Sequence, residues 1–208
     1  MLRSSVPGQW LGRFLVAAAV TVLSSALHAT SYADEPISGG YSMDPTHTSV
    51  VFKVDHLGFS TYIGRFDTAA GTLSFDEKDP AKSSVSVTID ASSVNTNSEA
   101  LEEKLRGADM FDAEAHPEIT FVSTSIETTG EATGKITGNL TIAGMTKPVT
   151  LDVTFNNGAP HPFPPNKFVL GFSATAALKR SEWELNSWLP AVGDDVALEI
   201  EAEFVKDD

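Results

Sequence analysis

From Ser49 onward the chain alternates apolar and polar residues with a period of two, and that alternation leaves few folds open. Val50, Phe52, Val54 and His56 share one face of a strand, with Ser49, Val51, Lys53 and Asp55 on the other. The same pattern returns in Gly71-Leu73-Phe75, Val85-Val87-Ile89, Ile136-Gly138-Leu140-Ile142 and Val149-Leu151-Val153-Phe155. Two longer rows follow, Phe168 to Leu178 and Val196 to Phe204, the second facing away from Glu199, Glu201 and Glu203. A strand with one apolar and one polar face is covered on one side only, the habit of antiparallel sheets. Asp79-Pro80, Thr129-Gly130, Ala143-Gly144 and Asn157-Gly158 are turn signals between these runs. The pattern predicts about eight antiparallel strands in a closed barrel or a two-layer sandwich, which periodicity does not separate. Residues 118–126 are apolar on both faces, which predicts a bulge.

One helix interrupts the strands. Thr96 and Glu99 have capping-box spacing, and Leu101, Leu105 and Ala108 form a narrow apolar stripe. Glu102 and Arg106 are spaced for an ion pair, and Gly107 is a natural stop. Such a helix lies on the sheet or closes one end of a barrel. Residues 159–166 form a proline-rich loop that cannot donate a full hydrogen-bond ladder. Residues 180–195 carry Trp183, Trp188 and Leu189 outside any alternation. They either cover a barrel mouth or form a satellite cluster under a loop.

Residues 1–33 read as a secretory signal peptide. Arg3 and Arg13 precede and flank the short apolar run Phe14 to Leu23, and Ser31-Tyr32-Ala33 is a small-x-small cleavage signal. The run is too short to span a bilayer, which takes about 20 apolar residues. Cleavage after Ala33 would leave a flexible start at residues 34–40 and a domain over 41–206, expected in the periplasm without stable membrane insertion. It removes only Arg3 and Arg13 from the charge count, taking the net charge from −14 to −16. A surface this acidic disfavours nucleic acid and anionic headgroups. The absence of cysteine excludes disulfides, thiolate chemistry and Cys-ligated metals.

Catalytic constellations are hard to find. Gly58-Phe59-Ser60 and Gly171-Phe172-Ser173 lack the fifth-position glycine and the strand-to-helix setting of a nucleophile elbow. His47 and His56 are an odd number of residues apart, so one regular strand would put them on opposite faces. No histidine pair has metal-ligand spacing, and no metal or cofactor is expected. His56 continues an apolar face, either as a core histidine satisfied by a carbonyl or as a polar handle for a ligand. The inward rows mix large residues (Phe52, Phe75, Phe155, Phe172) with small ones (Gly138, Ala174, Ala176, Ala202). The small ones leave volume that neighbours fill or that remains as a tunnel. An unfilled interior so lined would reward only an apolar ligand, at about 0.8 kcal/mol per buried methylene.

A set of motifs in fixed order carries a family resemblance. His47-Thr48-Ser49-Val50-Val51-Phe52, His56-Leu57-Gly58-Phe59-Ser60, Gly64-Arg65-Phe66 and Phe75-Asp76 come first. Ser93 to Asn97, Leu105 to Phe111, His116 to Phe121 and Gly138 to Val149 follow, with Lys179 to Glu182 and Val192 to Val196 near the end. Together they resemble the YceI-like lipid- or polyisoprenoid-binding family over residues 41–205. Two stretches depart from the family pattern: Lys104 stands where a helix histidine is frequent, and Arg180-Ser181-Glu182-Trp183-Glu184 replaces an Arg-Ser-Asp-Phe-Gly stretch.

The resemblance implies an extended lipocalin-like antiparallel β-barrel of about eight strands with one helix in a connection. It also implies an exported, non-enzymatic binding or carrier protein that sequesters a long-chain isoprenoid or similar lipid inside the barrel. Mapped onto this chain, the ligand-binding lining would come from Phe52, Val54, Phe66, Leu73, Phe75, Val87, Phe121, Leu140, Leu151, Val153, Phe172 and Leu198. His47, His56 and Arg180 are the candidates for meeting the ligand's polar head. Two rivals stand beside this reading. One is a filled, non-catalytic interaction module that docks a membrane redox or envelope partner. The other is a hydrolase or isomerase acting on the bound lipid. The features leave room for a homodimer.

Overall fold

The alternating rows become eleven strand segments in one antiparallel sheet. The computed structural model describes residues 37–163 and 167–208, so the expected leader and its cleavage point lie outside the described residues. The segments are β1 (Gly39–Met43), β2 (Ser49–His56), β3 (Ser60–Phe66), β4 (Ala69–Phe75) and β5 (Ser84–Asp90). The two-residue β6 (Val94–Asn95) and the helix α1 (Glu99–Arg106) follow. The remaining segments are β7 (Glu118–Thr128), β8 (Thr133–Ile142), β9 (Met145–Pro160), β10 (Phe168–Lys179) and β11 (Val192–Lys206).

Eight of these close a ring in the order β1-β4-β5-β7-β8-β9-β10-β11, with β1 pairing back onto the end of β11 (Met43 opposite Phe204). The β1–β11 pairing joins the two ends of that order, as a two-layer sandwich would not. It also answers the question that periodicity left open. The described residues form a closed eight-strand antiparallel barrel with one α-helix.

The long strand β11 serves two partners. Its last residues pair with β1, while its first part pairs with β2, Val196 facing Val54 and Leu198 facing Phe52. At that second end β2 carries the wall into β3, and β3 pairs onward only through Arg65 and Phe66 with β6. Strand pairing therefore does not complete the ring there, and α1 follows β6 directly.

The two ends are packed differently. Around β1 the interior is solid: Tyr41 and Leu170 are fully buried and Phe204 nearly so. Phe75 stacks on Phe155 with ring centres 6.5 Å apart, Phe155 meets Phe172 at 5.5 Å, and Phe172 meets Phe204 at 6.1 Å. Gly138 leaves no void, because the Phe121 ring occupies the place where a side chain would stand.

Several local expectations change. Asn157-Gly158 is not a turn but lies inside β9, which runs on to Pro160. Gly171 faces Asn157 while Phe172 faces Phe155, so Asn156 is an extra residue and the strand bulges without reversing. The expected bulge in β7 falls at Thr124, skipped between Ser123 and Ser125, and its hydroxyl donates to the Thr137 carbonyl. Residues 37–40 are built into the fold: Gly39 and Gly40 pair with Phe75 and Ser74, and the Tyr41 hydroxyl donates to the Ile37 carbonyl. Ala143-Gly144 does reverse the chain, both residues having positive φ, and a side chain at Gly144 would also strike the His116 ring.

The helix is capped by Glu102 rather than by Glu99. A carboxylate oxygen of Glu102 accepts from the backbone N–H of Thr96 at 2.7 Å and of Ser98 at 3.3 Å. The Thr96 amide holds this carboxyl below its ordinary range. Glu102 is thus committed, and Arg106 pairs with Glu99 instead of Glu102.

Candidate functional site

Where the ring is completed by α1, the interior holds a cavity of about 610 Å3. β2 contributes Val50, Phe52, Val54 and His56 to its wall, β11 contributes Val196 and Leu198, and β10 contributes Leu178. Phe66, Ile89, Ile119, Leu140 and Ile142 complete the strand side. Helix α1 adds Ala100, Leu101, Lys104 and Leu105, a spacing that puts all four on one face. Met110 and Phe111 line it just after the helix, and Leu185, Trp188 and Ala191 come from the loop before β11. Phe52, Val54, Val196 and Leu198 point inward yet are only half-buried, because they face this space rather than other atoms.

The polar groups are few and have separate roles. Tyr62 donates through its hydroxyl to the Thr96 carbonyl at 3.2 Å, tying β3 to the start of the helix. His56 lies beside it, ring centres 5.9 Å apart, and its imidazole makes no hydrogen bond among the described residues. His56 is therefore not a core histidine satisfied by a carbonyl. Arg180 is 5% exposed and donates to the carbonyls of Gly193 (2.8 Å), Val192 (3.1 Å) and Leu185. It holds the loop before β11 in place. Burial pushes its guanidinium below the ordinary arginine range, with Asp194 opposing.

That loop forms no satellite cluster: it reaches into the main core and also borders the cavity. Trp183 is buried in the core and its indole N–H donates to the Leu140 carbonyl at 3.2 Å. Trp188 stays partly exposed and lines the cavity. Leu57, at the tip of the β2–β3 hairpin, lines it too, and the neighbouring Phe59 projects into solvent, 87% exposed.

Of the expected lining residues, the structure brings together Phe52, Val54, Phe66, Leu140 and Leu198. Leu73, Phe75, Val87, Phe121, Leu151, Val153 and Phe172 do not line the cavity. Leu73, Phe75 and Phe172 pack into the solid end, Phe121 fills the space over Gly138, and Val87 and Leu151 pack against the core. Val153 pairs with Ala174 on β10. Alternation selects the inward face but does not say which inward side chains find partners, at the solid end or across the core. The contributions of Tyr62, Met110 and Phe111 went unread. Only Tyr62, in phase with Phe66 along β3, carried a period-two signal.

Among the head candidates, His56 and Arg180 line the cavity and His47 does not. His47 belongs to a separate polar hollow with Arg65 and Asp67, and its Nδ1 lies 2.9 Å from Asp44. Hydrogen bonds from Thr46 and His47 lower the Asp44 carboxyl to about 2, and Asp44 in turn raises His47. Asp44 therefore stabilises the fold above its unfolded value of 3.8 and loses that contribution as pH falls through about 2. The His47 contribution is complete below 6.5 and fades as pH rises through its raised value. Asp44→Asn should thus lower the urea midpoint most near about pH 5, where both groups are charged, with a deficit that shrinks toward pH 2. A deficit independent of pH would exclude the ion pair as its source.

Residues 41–204 match the model of the YceI-like domain. The chain belongs to the YceI-like family. It is 35% identical to protein YceI of Escherichia coli over 176 residues, 84% of this chain and 91% of that protein. It is 34% identical to a UPF0312 protein of Pectobacterium atrosepticum over 189 residues, 89% and 97% of the two chains. Among solved structures it is similar to Burkholderia cenocepacia BcnA, with a TM-score of 0.70 at 25% identity over 77% of this chain and 98% of that one. The Campylobacter jejuni YceI protein gives 0.66 at 31% identity over 75% and 91%. A polyisoprenoid-binding domain from Saccharophagus degradans shares the fold, with a TM-score of 0.57 at 14% identity over 80% and 98%. In this YceI-like chain the two departures noted in the sequence both fall at the cavity: Lys104 lines it, and the Arg180–Trp183 turn anchors its loop.

Proposed function

We propose that this YceI-like protein is a periplasmic carrier that sequesters the hydrocarbon chain of an isoprenoid or similar long-chain lipid in the cavity behind α1. The observation that carries the reading is the space itself. It is about 610 Å3 in volume and walled mainly by Val, Leu, Ile, Phe and Met side chains. At roughly 30 Å3 per water-sized group it has room for about twenty methylenes. Interiors pack densely by default, so an apolar void of this size costs stability unless something occupies it. An occupying chain of that length gains roughly 16 kcal/mol at about 0.8 kcal/mol per methylene. That exceeds the entropic cost of association, which takes several kcal/mol or more. The family relationship and the polyisoprenoid-binding domain of the same fold support the choice of ligand class.

The test is native mass spectrometry of the purified protein followed by solvent extraction. A stoichiometric long-chain lipid in the extract is the expected result. A protein that is consistently empty and also takes up no isoprenoid analogue would overturn the reading.

A further inference from the structure

The charges around the cavity run against those of the whole chain. The sequence has 28 acidic and 14 basic residues. No Asp or Glu among the described residues lines the cavity, whereas His56, Lys104 and Arg180 all do. The nearby carboxylates are committed elsewhere. Glu102 caps the helix, Glu99 pairs with Arg106, Asp55 accepts from the Gly58 N–H, and Asp194 accepts from the Ser181 N–H and hydroxyl.

Lys104 is the most informative of the three. It borders the cavity from the rim of the helix face that carries Leu101 and Leu105, and is itself exposed to water. Its stem can follow the apolar wall while its ammonium stays at the water boundary. That ammonium makes no ion pair or hydrogen bond among the described residues, whereas Lys53, Lys135 and Lys179 are each paired with a carboxylate.

Arg180 adds a buried charge. Three carbonyls orient its guanidinium, but no carboxylate touches it. Asp194 acts on it only at a distance, its oxygens being held by Ser181, and an anion arriving with the ligand would add a direct partner for this buried charge. His56 stands opposite Val192, whose carbonyl holds Arg180, so the imidazole and the guanidinium share one end of the cavity.

We infer that the ligand carries an anionic head, a carboxylate or a phosphate monoester, received by Lys104 with Arg180 and His56 at the cavity mouth. This rests on the lipid-carrier reading and adds the sign of the head to it. A hydrogen bond to a charged group is worth more than a neutral one, so the head selects among lipids whose tails are equivalent.

The test uses four probes with the same C20 isoprenoid tail, ending in phosphate, carboxylate, alcohol or ammonium, titrated into delipidated full-length protein. The phosphate or carboxylate probe is expected to bind at least about tenfold tighter than the alcohol, and the ammonium probe weakest. The ratio between phosphate and carboxylate identifies which anion the site prefers. Lys104→Gln should erase most of the anion preference, weakening the phosphate and carboxylate probes severalfold more than the alcohol. Lys104→Arg should keep the preference, which a purely structural role for the helix position would not require. Alcohol binding as tightly as the anions would overturn the head assignment and leave the carrier reading intact. Failure of all four tails to bind would overturn both.

Discussion

Val54→Trp/Val196→Trp protein is expected to fold normally and to lose more than a hundredfold in affinity for a C20 isoprenoid. The two valines face each other across β2 and β11 and both line the cavity. In a filled core, added side-chain volume forces strain of about 1–3 kcal/mol. Here the indoles enter open space, so the thermal midpoint should hold or rise. Each excluded methylene costs about 0.8 kcal/mol, and four of them suffice for the stated loss. Ala174→Phe is the contrasting case. Ala174 is buried on β10 between Val153 and Ile200 and does not line the cavity, so the same kind of enlargement there should cost about 1–3 kcal/mol. Titration with a fluorescent isoprenoid and a thermal melt measure both. Undiminished uptake by the double variant would show that the chain is held somewhere else.

Trp183→Ala should be the most destabilising single change, at about 3–5 kcal/mol. The indole is 1% exposed, packs with Leu105, Leu140 and Leu185 among others in the core cluster, and donates to the Leu140 carbonyl. Trp183→Phe keeps much of the packing and loses the donor, so it should cost only about 1 kcal/mol. Urea denaturation separates the two, since both effects appear in the midpoint with little change in slope. Near-neutral behaviour of Trp183→Ala would mean that the turn carrying it is not part of the core. The effect also matters for the site, because the Arg180–Trp183 turn anchors the loop that brings Leu185, Trp188 and Ala191 to the cavity.

Much of this was legible in the residues. The inward face of each strand was readable because side chains in a strand alternate by geometry alone. Val50, Phe52, Val54 and His56 do face inward together, as do Leu170, Phe172 and Ala174. Helix α1 and its Gly107 stop were legible from local spacing. The cap was less so, because Thr96, Ser98, Glu99 and Glu102 offer several pairings and only the three-dimensional path chooses among them.

What the sequence determined by itself was which side chains turn inward, where the helix falls, and that the interior is oily and free of cysteine. Only the tertiary structure decided where along the barrel axis the interior stays open. Phe75, Phe155, Phe172 and Phe204 meet and fill one end, though they come from four different strands. At the other end a helix stands where a strand would have closed the ring, and the space behind it remains. Alternation along one strand records only inside or outside. Whether an inward side chain meets a partner depends on register between strands far apart in the chain, and no local pattern encodes that.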